Sequence, residues 1–187
     1  MSDELAHDHA ELDKLLGELR SALDGGDAKQ VHHALDLFWA RLAVHIRAEH
    51  LGLFPAVSRV LERKFEVGPE GPSLMDAQSL IAELRRDHDF FMRELSRAIA
   101  SVRRCMAAPD QGLWAKELVR VKERIAAVTD RLVNHNKLEE QGIYLWAGTL
   151  LNQQEQSDLA ARVRDELGTM PPRFVQSDLS DHLATDL

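Results

Sequence analysis

Residues 45–56 read HIRAEHLGLFPA, and a near copy, HNKLEEQGIYLWA, returns at residues 135–147. Both follow H-x-x-x-E-x-x-G and then an aliphatic and an aromatic residue: Gly52, Leu53 and Phe54 in the first, Gly142, Ile143 and Tyr144 in the second. Four residues advance a helix by about 400°, so His45 and Glu49 share a face roughly one turn apart, as do His135 and Glu139. Each copy is a two-toothed clamp. Upstream of the clamps stand Asp8-His9 and Asp87-His88, so the chain reads twice as D-H, a gap, and H-x-x-x-E. That is an internal repeat of helical hairpins.

Outward from the clamps the apolar residues keep helical spacing. Leu5, His9, Leu12, Leu16, Leu19 and Leu23 form one face over residues 2–24, ended by Gly25-Gly26-Asp27. A second helix over about 28–65 carries Leu35, Phe38, Leu42, His45, Glu49, Leu53 and Ala56, with a bend expected at Pro55, which lacks the amide that would bond Leu51. Residues 66–72, EVGPEGP, read as a loop. Ser73 and Asp76 suggest a capping box opening a third helix to about 107, with His88 on its apolar stripe. After Pro109-Asp110-Gln111-Gly112, a fourth helix over about 113–148 aligns Val121, Ile125, Val128, Leu132, His135, Glu139 and Ile143. A short fifth helix follows Asn152.

The expected architecture is all-α: an up-down-up-down antiparallel four-helix bundle, with the fifth helix completing one domain over residues 1–168 and an irregular tail at 169–187. At about 1.5 Å per residue, His9 lies roughly 25 Å from the first turn and the first clamp roughly 27 to 33 Å beyond it. Similar sums across the other turns bring His9, His45, Glu49, His88, His135 and Glu139 to one slab, the third junction fitting least closely.

A net charge of −8 argues against nucleic acid or an anionic membrane as partner. No apolar run reaches transmembrane length and no secretory leader is evident. The single cysteine, Cys105, fits a reducing cytoplasm and reads as a packed side chain. Neither a nucleophile triad nor a phosphate loop is present.

One histidine on an apolar face is ordinarily a packed core residue. Four at one level with two carboxylates are different, because isolated buried carboxylates cost several kcal/mol each and call for a cation. Carboxylate and imidazole in an antiparallel bundle suit a dinuclear iron or manganese centre, with both glutamates bridging and two histidines per ion. The remaining histidines, His7, His32, His33, His50 and His182, fall off the stripe or outside the core; His50 is expected to face solvent or a partner, and Tyr144, about 140° around an α-helix from Glu139, to pack.

The order His9, His45-x-x-x-Glu49, His88, His135-x-x-x-Glu139, with Leu-Phe-Pro after the first clamp, resembles the hemerythrin-like HHE cation-binding family over roughly residues 5–165. The resemblance implies a non-haem diiron bundle: two iron ions with an oxo or hydroxo bridge, manganese or zinc being substitutes. It implies dioxygen, peroxide or nitric oxide as small ligands, with peroxide decomposition the most concrete activity and sensing without turnover the alternative. A homodimer is left open. Two departures stand out. Oxygen-carrying hemerythrins have a histidine one turn after the third-helix one, where this chain has Met92, and a last carboxylate five residues after its histidine, where this chain has Glu140. Glu139 is preferred because it lies on the stripe and repeats the spacing of Glu49.

Overall fold

The computed structural model describes residues 2–64, 72–108 and 110–175. Among them there is no strand; the helices are α1 (Ser2–Gly25), α2 (Ala28–Ala48), α3 (Phe54–Lys64), α4 (Leu74–Ala107), α5 (Gln111–Leu138), α6 (Tyr144–Leu150), α7 (Gln153–Leu167) and a short α8 (Pro172–Val175). Their starts follow local chemistry. Asp27 accepts hydrogen bonds from the amides of Lys29 and Gln30, and Asp110 from those of Gly112 and Leu113. Ser73 with Asp76, and Asn152 with Glu155, close reciprocal capping boxes. Between α1 and α2 the chain reverses through Gly26, whose φ of 72° favours glycine.

Two expectations are corrected. The second helix does not run unbroken to about 65, nor the fourth to about 148: each passes through a π-helical turn, Glu49–Leu53 and Glu139–Ile143. In both, the amide five residues after the clamp glutamate returns to its carbonyl, Phe54 to Glu49 and Tyr144 to Glu139. The second turn has no proline, so a turn of this kind does not require one. Within the tail, α8 occupies Pro172–Val175; residues 176–187, most of the loop at 66–72 and Pro109 lie outside the described residues.

The core falls into two apolar clusters. One contains Leu5, Leu53, Phe54, Leu84 and Ile143; the other contains Leu12, Leu42, Phe91 and Leu132. Going along the chain, α1 and α4 pass from the first cluster to the second, whereas α2 and α5 pass from the second back to the first. Adjacent rods are therefore antiparallel. On every rod a clamp or D-H residue sits at the crossing: His9 between Leu5 and Leu12, His45 between Leu42 and Leu53, His88 between Leu84 and Phe91, His135 between Leu132 and Ile143. Each fully buried leucine or phenylalanine contributes roughly 1.5–3 kcal/mol, so the polar slab is held between two apolar blocks that can offset its desolvation. Outside this bundle, α7 lies on α2 and on the first π turn, and a Cβ on Gly52 would come within 3.3 Å of Leu159.

Candidate metal centre

The structure brings the six stripe residues together, each 0–5 % exposed. Two overlapping sets of ligand atoms result: Glu49, His88, His135 and Glu139, and His9, His45 and Glu139, with the atoms of each set within 4.8 Å of one another. Each hairpin thus contributes one pair of imidazoles, and Glu139 belongs to both sets. Glu49 completes the pattern on the other side, with Oε1 3.6 Å from His45 Nε2 and Oε2 3.3 Å from His88 Nε2.

All four imidazoles turn Nε2 inward, and each Nδ1 is engaged. His45 Nδ1 donates to Asp8 Oδ2 at 2.8 Å and His135 Nδ1 to Asp87 Oδ2 at 3.2 Å. His9 Nδ1 lies 3.2 Å from Glu140 Oε1, and His88 Nδ1 2.9 Å from His50 Nε2. A neutral imidazole that donates through Nδ1 presents a bare lone pair at Nε2, the form that binds a cation. The aspartates are themselves held by arginines, Asp8 by Arg41 and Asp87 by Arg131. The D-H dipeptide therefore has a division of labour: the histidine faces the centre and the aspartate orients the clamp histidine of the next helix.

The carboxylates are short of donors. Tyr144 donates its phenol to Glu49 Oε1 at 3.0 Å and lies 3.3 Å from Glu139 Oε2. Yet Glu49 Oε2 and Glu139 Oε1 are buried without a hydrogen bond. Glu139 Oε1 is only 2.7 Å from His135 Nε2, but off the direction in which a ring N–H would point. Atoms that crowd one another without pairing are what a shared cation would be expected to draw together, so the donor set fits metal.

Electrostatics agree. Burial works to raise the Glu139 carboxyl, but the nearby imidazoles of His135, His88 and His9 hold it well below the usual carboxylate range. Burial alone would depress His88, yet the carboxylates of Glu139 and Glu49, 3.7 and 3.3 Å from its Nε2, raise it to about 9. Burial takes His45 down to about 4, and His50 likewise to about 4 with help from the nearby His88 and Arg85 charges, so both are neutral. Burial, with the negative charges of Glu139 and Glu49, holds the Tyr144 phenol well above its usual value, and it stays a donor.

Glu140 has its side chain 52 % exposed and reaches His9 from outside the slab. Of the other histidines, His7 and His33 are exposed, His32 accepts from Arg103, and His182 lies outside the described residues. Four residues of the site escaped the sequence reading. His50 contacts His88 rather than facing only solvent, and Tyr144 is part of the centre rather than packing alone. Asp8 and Asp87 were visible in the repeated D-H pair, a signal that a second role was waiting for the aspartate. Met92 packs half-buried against the second apolar cluster. A cavity of about 450 Å³ between α1 and α5 has His9, Asp13, Thr129, Asn136 and Glu140 in its lining.

Compared with known proteins, the family model described as the hemerythrin HHE cation binding domain matches residues 1–147. No curated protein and no solved structure matches.

Proposed function

The chain belongs to the hemerythrin HHE cation-binding family, and from that premise we propose that it is a non-haem diiron protein that binds or reduces oxygen species, most concretely decomposing hydrogen peroxide. The observation that carries this reading is the inward set of four Nε2 atoms around two buried carboxylates, every Nδ1 being engaged on the far side. His9 and His45 would hold one ion, His88 and His135 the other, with Glu49 and Glu139 bridging. Two iron ions there would supply the paired one-electron changes that interconvert peroxide, dioxygen and water.

The chain's own residues contribute the rest. Asp8 and Asp87 keep the clamp imidazoles in one tautomer. Tyr144 offers a protonated hydroxyl inside the slab. Phe54 and Phe91, both buried, close the two apolar sides against water, and the cavity with His9 and Glu140 in its lining would be the approach for a small neutral molecule. Met92, where the oxygen carriers have a further histidine, leaves two histidines for each ion.

The test is to load ferrous iron without air, measure iron per chain, admit air, and record the optical spectrum and oxygen release from peroxide. Two irons per chain, oxidation in air without reversible uptake, and peroxide turnover well above the metal-free protein are expected. Two irons with no turnover would replace the enzyme reading by one of sensing or binding. Failure to hold iron would defeat both.

A further inference from the structure

We propose that Arg41 is a positioning residue for the centre, acting on His45 through Asp8, and that the same guanidinium ties the C-terminal end of α7 down more firmly when the centre holds metal. The inference rests on the reading of the six-residue cluster as a metal centre.

The contacts run in an unbroken line. Arg41 donates through Nη1 to the carbonyl oxygen of Leu167 at 2.9 Å and through Nη2 to Asp8 Oδ1, while Asp8 Oδ2 accepts from His45 Nδ1 at 2.8 Å. Asp8 is 1 % exposed, so no water competes for these bonds in bulk. The last carbonyls of any α-helix lack partners within the helix. Here side chains of α2 reach the helix end: Arg41 donates to the Leu167 carbonyl, while Arg47 Nη2 adds a bond to the Glu166 carbonyl at 3.0 Å and one to that of Thr169, just past the helix, at 3.2 Å. Of the two arginines, Arg41 alone also touches a residue that orients a clamp histidine.

The second hairpin provides the comparison. Arg131 holds Asp87, which holds His135, but its guanidinium lies 4.6 Å from the centroid of the Phe90 ring and its side chain is 43 % exposed. The two halves therefore share the Arg-Asp-His arrangement and differ in what stands behind the arginine: a helix end in one, an aromatic ring and solvent in the other.

Metal makes the line sensitive to occupancy. Once the His45 Nε2 lone pair is committed to a cation, the ring is fixed and its Nδ1–H becomes a stronger donor to Asp8. Asp8 is then fixed, and Arg41 keeps its fork over Asp8 and Leu167 together. Because coupling between sites is reciprocal, loosening the end of α7 must weaken metal binding by the same factor.

Hydrogen exchange on the full chain, metal-free and loaded anaerobically with ferrous iron, decides it, iron content being measured in each sample. Loading should slow exchange at the Gly168 and Thr169 amides, which bond Arg164 and Glu166, by about fivefold or more, the lower end of ordinary site-to-site coupling. Arg41→Lys keeps a cation beside Asp8, but one ammonium lacks the fork; it should bind iron and lose the slowing. Arg131→Gln should keep the slowing. Arg47→Ala, which frees the end of α7 without touching Asp8, should hold iron less tightly in equilibrium competition with a chelator. Iron uptake with unchanged exchange at these amides, or slowing that survives Arg41→Lys, or slowing abolished equally by Arg131→Gln, overturns the proposal. A chain that takes up no iron overturns the metal-centre reading, and the coupling with it.

Discussion

Adjacent residues on the fourth rod have opposite fates: Glu139 is fully buried, whereas the Glu140 side chain is 52 % exposed. In the proposed two-ion centre, removing a shared carboxylate would leave two like cations facing each other, whereas removing an outer acceptor would only free the ring of His9. Glu139→Ala should therefore lose most bound metal and Glu140→Ala keep it, read as metal per chain by elemental analysis. Retention by the Glu139 variant would move the ligand to Glu140. Tyr144 allows a second measurement. Tyr144→Phe takes the only phenol from Glu49 Oε1, and an acceptor left unpaired in a buried site costs about 1–3 kcal/mol. The metal-free variant should melt several degrees lower, and the loaded one should lose less, because a cation would then satisfy the carboxylate. Equal losses in both forms would mean that Tyr144 serves packing alone.

On the scale of elements, the rods, their caps and the six inward residues were legible, because apolar periodicity and the doubled H-x-x-x-E fix which face of each helix looks inward. The π turns were not, because nothing in composition separates one from an α-helical turn. Their cost to the reading is specific. A helical wheel of 100° per residue carries Tyr144 about 140° from Glu139, yet a turn that closes over five residues returns the fifth beneath the first. Asp8 and Asp87 were missed for a different reason: their partners lie on another helix, and a single-helix pattern does not report cross-helix bonds. The clamp glycines belong to this scale too. Gly52 faces Leu159 and Val163 of α7, at 3.3 and 3.6 Å from where a Cβ would stand. Gly52→Leu should push α7 from the bundle at a cost of about 1–3 kcal/mol for overpacking, seen as a lower melting temperature and faster proteolysis after α7. A variant as stable as the parent would show that α7 does not need this close approach.

For the whole molecule, no helix among the described residues is long and apolar enough to cross a membrane, and the acidic chain is held partly by half-buried ion pairs away from the centre. Burial works to raise the Glu94 carboxyl, but Arg124, Arg97 and Arg93 around it keep it below its usual value of 4.5. A carboxylate depressed in the folded state stabilises it above the unfolded value, and that contribution is lost as pH falls from about 4.5 through the lower folded value. Glu94→Gln should flatten the acid limb of a denaturation curve over that window and lower stability at neutral pH; an unchanged acid limb would remove Glu94 from the account.

The doubled hairpin has one more consequence. Two identical chains related by a two-fold axis must give both halves of a shared site the same surroundings. A duplicate carried within one chain is released from that constraint. Behind the first hairpin's arginine stands the end of α7, and behind the second's stands Phe90. The first hairpin's arginine is thereby joined to a neighbouring helix and the second's to a ring within its own hairpin, so the two halves of the cluster need not respond alike.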